Sequence, residues 1–166
     1  MIDAAYVQRL ARYNRWQNEN LYGVADGLSD QERRRDRGAF FGSIHGTLSH
    51  LLWGDCMWMS RFSDVAKPPV GIAGSDTLYP DWGGLKRERT GMDARILNWA
   101  DDIDPSWLAG DYTWFSNAAQ REISKPVWQV VVHVFNHQTH HRGQVHAMLT
   151  QAGGKLSDTD FFMLPE

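Results

Sequence analysis

The stretch Val-Val-His-Val-Phe-Asn-His-Gln-Thr-His-His-Arg-Gly-Gln, residues 131–144, decides both the fold and where to look for a site. Wound at ~100° per residue, Val127, Val130, Val131, Val134, Val145, Met148 and Leu149 gather on one side of a helix. His137 and His141 fall inside that apolar cluster, His133 and His140 lie at its edge or beyond, and His146 points away. Pro126 suits a first-turn position for this helix, which runs through Thr150 and stops at Gly153 and Gly154.

Three further helices precede it. Residues 3–27 read as an amphipathic helix capped by Asp3, with Val7, Leu10, Leu21, Val24 and Leu28 on its stripe and Asn14 and Gln17 where apolar residues are due. An arginine-rich link and the loop Gly38 to Gly42 lead to Ser43, which caps a second helix reaching about Phe62. Its stripe is Ile44, Leu48, Leu51, Trp58 and Phe62, with Asp55 set inside it. Residues 63–80 carry Pro68, Pro69, Pro80, Gly71 and Gly74 without a period, so they form a long crossover placed to gate a site. Asp81 caps a third helix that carries Trp82, Leu85, Met92, Ile96 and Trp99 and ends before Pro105. Asp111–Phe115 and Gln120–Ser124 flank Ser116 and Asn117 as a short hairpin. The expectation is an all-α, antiparallel four-helix bundle with a long crossover connection and a short hairpin before the last helix. It fills residues 1–166 as a single domain.

Composition narrows the function classes. Lys plus Arg is 17 against 20 Asp plus Glu, a formal charge of −3 with no long basic run, which disfavours nucleic acid as a partner. Nothing approaches a membrane span, and no apolar leader follows Met1. A lone Cys56, which reads as a core residue rather than a ligand or nucleophile, fits a cytoplasmic protein. The apolar tail Phe161 to Leu164 must pack on its own bundle or on a neighbour, and with eight Trp it points to a homodimer.

His137 and His141, one turn apart, can share one ion, since such side chains stand over each other and each nitrogen needs only ~2.0–2.1 Å to a metal. Alone, the pair fits hydrogen-bonded core histidines equally well. The metalloprotease helix motif is excluded, because Gln138 stands where its glutamate belongs and an amide is no general base. A third ligand must come from another helix, with His45, His50 and Asp55 as candidates. Periodicity favours Asp55, because His50 sits about 120° from the stripe's centre. That helix is apolar nearly all round, so its stripe defines the core poorly.

The run His137-Gln-Thr-His-His141-Arg-Gly-Gln144, with Ser49-His50-Leu-Leu-Trp-Gly-Asp55 and Tyr13-Asn-Arg-Trp16, closely resembles the DinB/YfiT-like family over nearly the whole chain. That resemblance implies a four-helix bundle holding a divalent metal ion through His50, His137 and His141. Asp55, Asn14, Gln138 and Gln144 then become candidates for supporting the ligands, and Arg142 a candidate for pairing with an anionic substrate.

Three neutral imidazoles leave coordination positions open, the arrangement of a catalytic rather than a closed structural site. They suit Zn, Ni and Fe alike. With relatives that use low-molecular-weight thiols such as bacillithiol or mycothiol, the resemblance implies a metal-dependent enzyme, a transferase or hydrolase. It would activate a small thiol or water to attack an electrophilic small-molecule substrate. Two other readings stand beside it. One is a non-catalytic metal- or small-molecule-binding module lined by Trp16, Trp53, Trp58, Trp114 and Trp128; the other is a dimer whose metal only stiffens the bundle.

Overall fold

The computed structural model describes residues 2–116 and 119–165. Four long helices make the frame: α1 (Ala4–Asp26), α3 (Ile44–Phe62), α4 (Trp82–Asp101) and α6 (Val127–Gln151). Each of the first three starts at a side-chain cap foreseen in the sequence. Asp3 accepts the N–H of Tyr6, Ser43 that of Gly46 and Asp81 that of Gly84, so each helix start has one orphan donor satisfied. Two short helices intervene: α2 (Asp30–Arg34), capped by Ser29, and α5 (Pro105–Leu108), capped by Asp104. Neither is long enough to show a 3.6-residue period, which is why the sequence reads both as links.

The all-α expectation needs correcting. β1 (Asp111–Ser116) and β2 (Arg121–Pro126) pair antiparallel, with Trp114 opposite Ile123 and Tyr112 opposite Lys125. The molecule is therefore mostly helical with a small two-stranded sheet. Aromatic and β-branched residues alternating along Tyr112 to Phe115 suit a half-buried pleat better than a helical turn. The expected turn residue Asn117 lies outside the described residues. Pro126 closes the second strand instead of sitting in the first turn of α6.

α1 packs on α4 and α6, and α3 packs on the same two, so every long helix has two long neighbours. Their shared core includes Val7, Leu21, Leu48, Leu52, Leu85, Val131 and Leu149. On α1 the buried face runs through Val7, Ala11, Asn14, Gln17, Asn18, Leu21 and Ala25, while Leu10, Val24 and Leu28 flank it half-buried. The tail folds back along the same helix. Tyr13 Oη donates to the Thr159 carbonyl, Gln17 Nε2 to that of Asp158 at 3.0 Å, and Phe161 meets the Tyr13 ring edge-on at 5.2 Å.

Through this core runs a polar layer to which every long helix contributes. Arg89 of α4 donates to Asp55 Oδ2 of α3 at 2.6 Å and pairs with Asp93 Oδ1 at 2.8 Å. Asn18 Nδ2 of α1 donates to the same Asp93 oxygen at 2.9 Å, and Gln138 of α6 donates to Asp55 Oδ1. Beside them Arg142 donates to Asn14 Oδ1. Burial opposes the Arg89 charge, but the Asp93 and Asp55 carboxylates together outweigh it and raise its pKa above the ordinary arginine value. Two arginines against two aspartates leave the layer with no net charge, which makes deep burial of all four tolerable. Arg89→Ala strands both carboxylates and is expected to cost about 3–5 kcal/mol, read as a lower urea midpoint at unchanged m value. A loss under ~1 kcal/mol would contradict the layer's structural role.

Candidate metal centre

His50 enters the site from the middle of α3, and His137 and His141 enter from successive turns of α6. One ring nitrogen from each lies within 4.8 Å of the other two, and His50 Nε2 stands 3.2 Å from His137 Nε2. Two nitrogens bound at ~2.0–2.1 Å to one tetrahedral ion sit ~3.3 Å apart, so the observed spacing fits a shared cation.

Hydrogen bonds on the far side of two rings decide which nitrogen faces inward. The Ser75 hydroxyl donates to the Ile72 carbonyl at 2.6 Å, so its oxygen accepts from His50 Nδ1 at 2.8 Å. The proton of His50 therefore sits on Nδ1, and Nε2 turns a lone pair toward the site. His141 Nδ1 likewise donates to Gln144 Oε1 at 2.8 Å, which frees its Nε2. The third ring is seated by a space. A Cβ built on Gly54 would lie 2.9 Å from His137 Cε1, so any larger residue there displaces the imidazole. Phe41 closes the other side, stacked on His50 at 3.8 Å between centroids and 21° between planes.

Burial, and then mutual repulsion, keeps these imidazoles uncharged. Desolvation lowers the His50 pKa to about 3, helped by His137 and His141. Desolvation likewise takes His137 down to about 4, reinforced first by His141, and it lowers His141 as well. Neutral imidazole is the form that coordinates a metal.

The other sequence candidates are dispersed. Asp55, favoured by periodicity, is bound to Arg89 and Gln138 in the polar layer and takes no part in the triad. His45 donates Nε2–H to the Tyr79 carbonyl at 2.7 Å, with its ring toward Trp82. Gln138 faces Asp55 and Asn14 faces Arg142, whereas Gln144 does contact a triad histidine. Arg142 is 6% exposed, bound to Asn14 and Thr139, and lines a separate groove with Tyr13, Gln17 and His146. Cys56 meets the Tyr79 hydroxyl at 3.5 Å, and burial raises its pKa.

Segment 63–80 forms a strap along α3. Besides the Ser75 contact with His50, Ser49 Oγ donates to the Ser75 carbonyl at 2.7 Å and Trp53 Nε1 to the Val70 carbonyl at 2.9 Å. A cavity of about 600 Å³ opens beside the triad, walled by His50, His137, Trp53, Trp58 and Trp114. Of the five indoles considered in the sequence, Trp16 and Trp128 lie away from it. Ser75, Gly54 and Phe41 were not legible as site residues. For Gly54 a signal existed, a glycine inside a helix one turn after His50, whereas Ser75 and Phe41 reach the ring only through tertiary structure.

Ser75→Ala removes the acceptor that orients His50 without touching a ligand nitrogen. Zinc affinity, measured by competition with a chromophoric chelator, is expected to fall about 10- to 100-fold with the fold retained. Unchanged affinity would show that the Ser75 contact does not orient a ligand.

Comparisons with known proteins bear on the family and the fold. A model of the DinB family matches residues 1–166. The protein called Protein DinB from Bacillus subtilis (strain 168) is 28% identical over 175 residues, covering 97% of this chain and 93% of its own. A crystal structure of a DinB-like protein from Bacillus cereus ATCC 10987 superposes with a TM-score of 0.53 at 17% identity, over 86% of this chain and 90% of that one. With the family model spanning its whole length, the chain belongs to the DinB family.

Proposed function

We infer that the protein is a divalent-metal-dependent enzyme that activates a small thiol or water for attack on an electrophilic small molecule. The observation that carries this reading is three neutral imidazoles converging on one point at the edge of an aromatic cavity. A divalent cation there would supply Lewis acidity, by which a water or thiol loses its proton near neutral pH.

The chain's own residues do the rest. Ser75 and Gln144 hold two of the rings by their Nδ1–H groups, so the ligand lone pairs need no rearrangement on binding. Phe41 and Trp53 both stack against the His50 ring, at 3.8 and 5.4 Å between centroids, which helps keep it out of bulk water. The indoles of Trp53, Trp58 and Trp114 offer an apolar wall against which a substrate body can lie. Part of the same reading is an antiparallel bundle of the four long helices, supported by each packing on two others. Another part is a homodimer, supported by Phe162 and Met163 standing 79% and 49% exposed.

The test is turnover of a chromogenic electrophile, 1-chloro-2,4-dinitrobenzene, with a small thiol, after loading with zinc, nickel or iron(II) in turn. Activity is expected with at least one metal, to vanish on chelation and in His137→Ala, and to return on adding metal back to the wild-type protein only. Turnover indifferent to chelation would overturn the reading. No turnover with any metal, together with a large fall in thermal stability on chelation, would favour a purely structural metal.

A further inference from the structure

The wall of the cavity has an electrical character that the proposed function does not use. The chain carries 20 acidic residues against 17 Lys plus Arg, yet no Asp or Glu lines the cavity among the described residues. Its charged lining groups are Arg61 and Lys67, set among Trp53, Trp58, Trp114 and Phe115. Arg61 comes from the last turn of α3, about three turns beyond His50, and lines the same cavity as His50 and His137.

Arg61 is half-buried, with its guanidinium 4.4 Å from the centre of the Trp58 ring and 5.9 Å from that of Trp114. It has neither an ion pair nor a side-chain hydrogen bond to any described residue, and burial works against its charge. Arg89 is matched by two carboxylates, and Arg33, Arg34, Arg35 and Arg37 each pair with an acid. Arg142 also lacks an ion pair among the described residues, but it is bound to Asn14 and Thr139, and the exposed Arg12, Arg87, Arg95 and Arg121 and the partly buried Arg9 line no part of this cavity. Two indoles hold Arg61 in place by their ring faces, and such contacts leave the in-plane N–H fork free for an acceptor.

We propose that Arg61, clasped by Trp58 and Trp114, is the anchor for the carboxylate of a small organic acid whose flat apolar body lies along the tryptophan wall with its far end at the histidine triad. A planar guanidinium matches a carboxylate through two parallel N–H···O bonds, which a neutral amide cannot reproduce. A cavity of about 600 Å³ is within the size range of small-ligand sites and holds a single-ring acid with room to spare. Lys67 adds a second positive charge to the wall and biases entry toward anions. The inference deepens the proposed function, and it rests on that reading only in placing the acid's far end at the triad.

The probe pair is 4-nitrobenzoate and 4-nitrobenzamide, equal in size and differing in charge, each titrated by tryptophan quenching and by calorimetry into zinc-loaded protein. The acid is expected to bind about tenfold or more tightly than the amide. Arg61→Gln erases that preference, Arg61→Lys keeps part of it, and both keep the wild-type zinc content. His137→Ala, which weakens zinc binding, is expected to retain the preference, because the anchor is on α3. Equal binding of acid and amide, binding of neither, or a full preference in Arg61→Gln overturns the proposal. Should Arg61→Gln fail to fold by circular dichroism, Arg61→Lys decides: weaker acid binding supports the anchor and unchanged binding overturns it. A preference lost in His137→Ala but not in Arg61→Gln would put the carboxylate on the triad, sinking this inference while leaving the metal reading intact. An Arg61-dependent preference in a protein that takes up no zinc would do the reverse.

Discussion

Three imidazole nitrogens facing one another in a partly desolvated pocket cannot all be satisfied by protons. A proton on His137 can bridge to His50 across their 3.2 Å separation, but it leaves the inward nitrogen of His141 without a donor. Charging the rings is no escape, since burial and mutual repulsion hold His50 and His137 near pKa 3 and 4. A single cation would satisfy all three lone pairs at once. The surroundings follow from that constraint: Ser75 and Gln144 take the outward protons, Gly54 clears space for a ring, and Phe41 covers the opening.

Two devices in the fold set the geometry of the triad: one ties α3 to α6, the helices that carry it, and the other orients His50 on α3. In the interior, Asp55 of α3 accepts from Gln138 of α6, the residue next to His137, and Arg89 of α4 ties the same carboxylate to Asp93 and through it to α1. Outside, the strap of residues 63–80 is bonded to α3 at Ser49, His50 and Trp53. The sequence suggested a gate for this segment because it is long and rich in proline and glycine. Its hydrogen bonds also make it the part that aims His50. A buried polar layer costs desolvation, yet it specifies one register between helices whose apolar faces alone could slide, which is the best-attested use of such groups.

Legibility in the sequence followed the range of the interactions concerned. Helix starts at Asp3, Ser43 and Asp81 were readable because a cap acts three residues away, and the inward angle of His137 and His141 was readable because it is a property of one helix. Asn14 and Gln17 stood out as polar breaks in a stripe, and they are indeed buried, bonded to Arg142 and to the Asp158 carbonyl. Periodicity failed on α3, where Ile44 through Leu52 are all buried and no single face marks the core. On such a helix the angle could not separate Asp55, destined for Arg89, from His50, destined for the triad. The resemblance named His50, but the partners that distinguish the two residues, Arg89 and Ser75, lie 34 and 25 residues away.

The function proposed for this protein requires a cation at the triad. Elemental analysis of the purified protein and of its His50→Ala form, at matched concentration and after identical metal exposure, tests this directly. One divalent ion per chain in the parent and essentially none in the variant is the predicted result. Equal occupancy in both, or none in either, would leave a well-ordered helical protein whose three facing histidines have no metal to explain them.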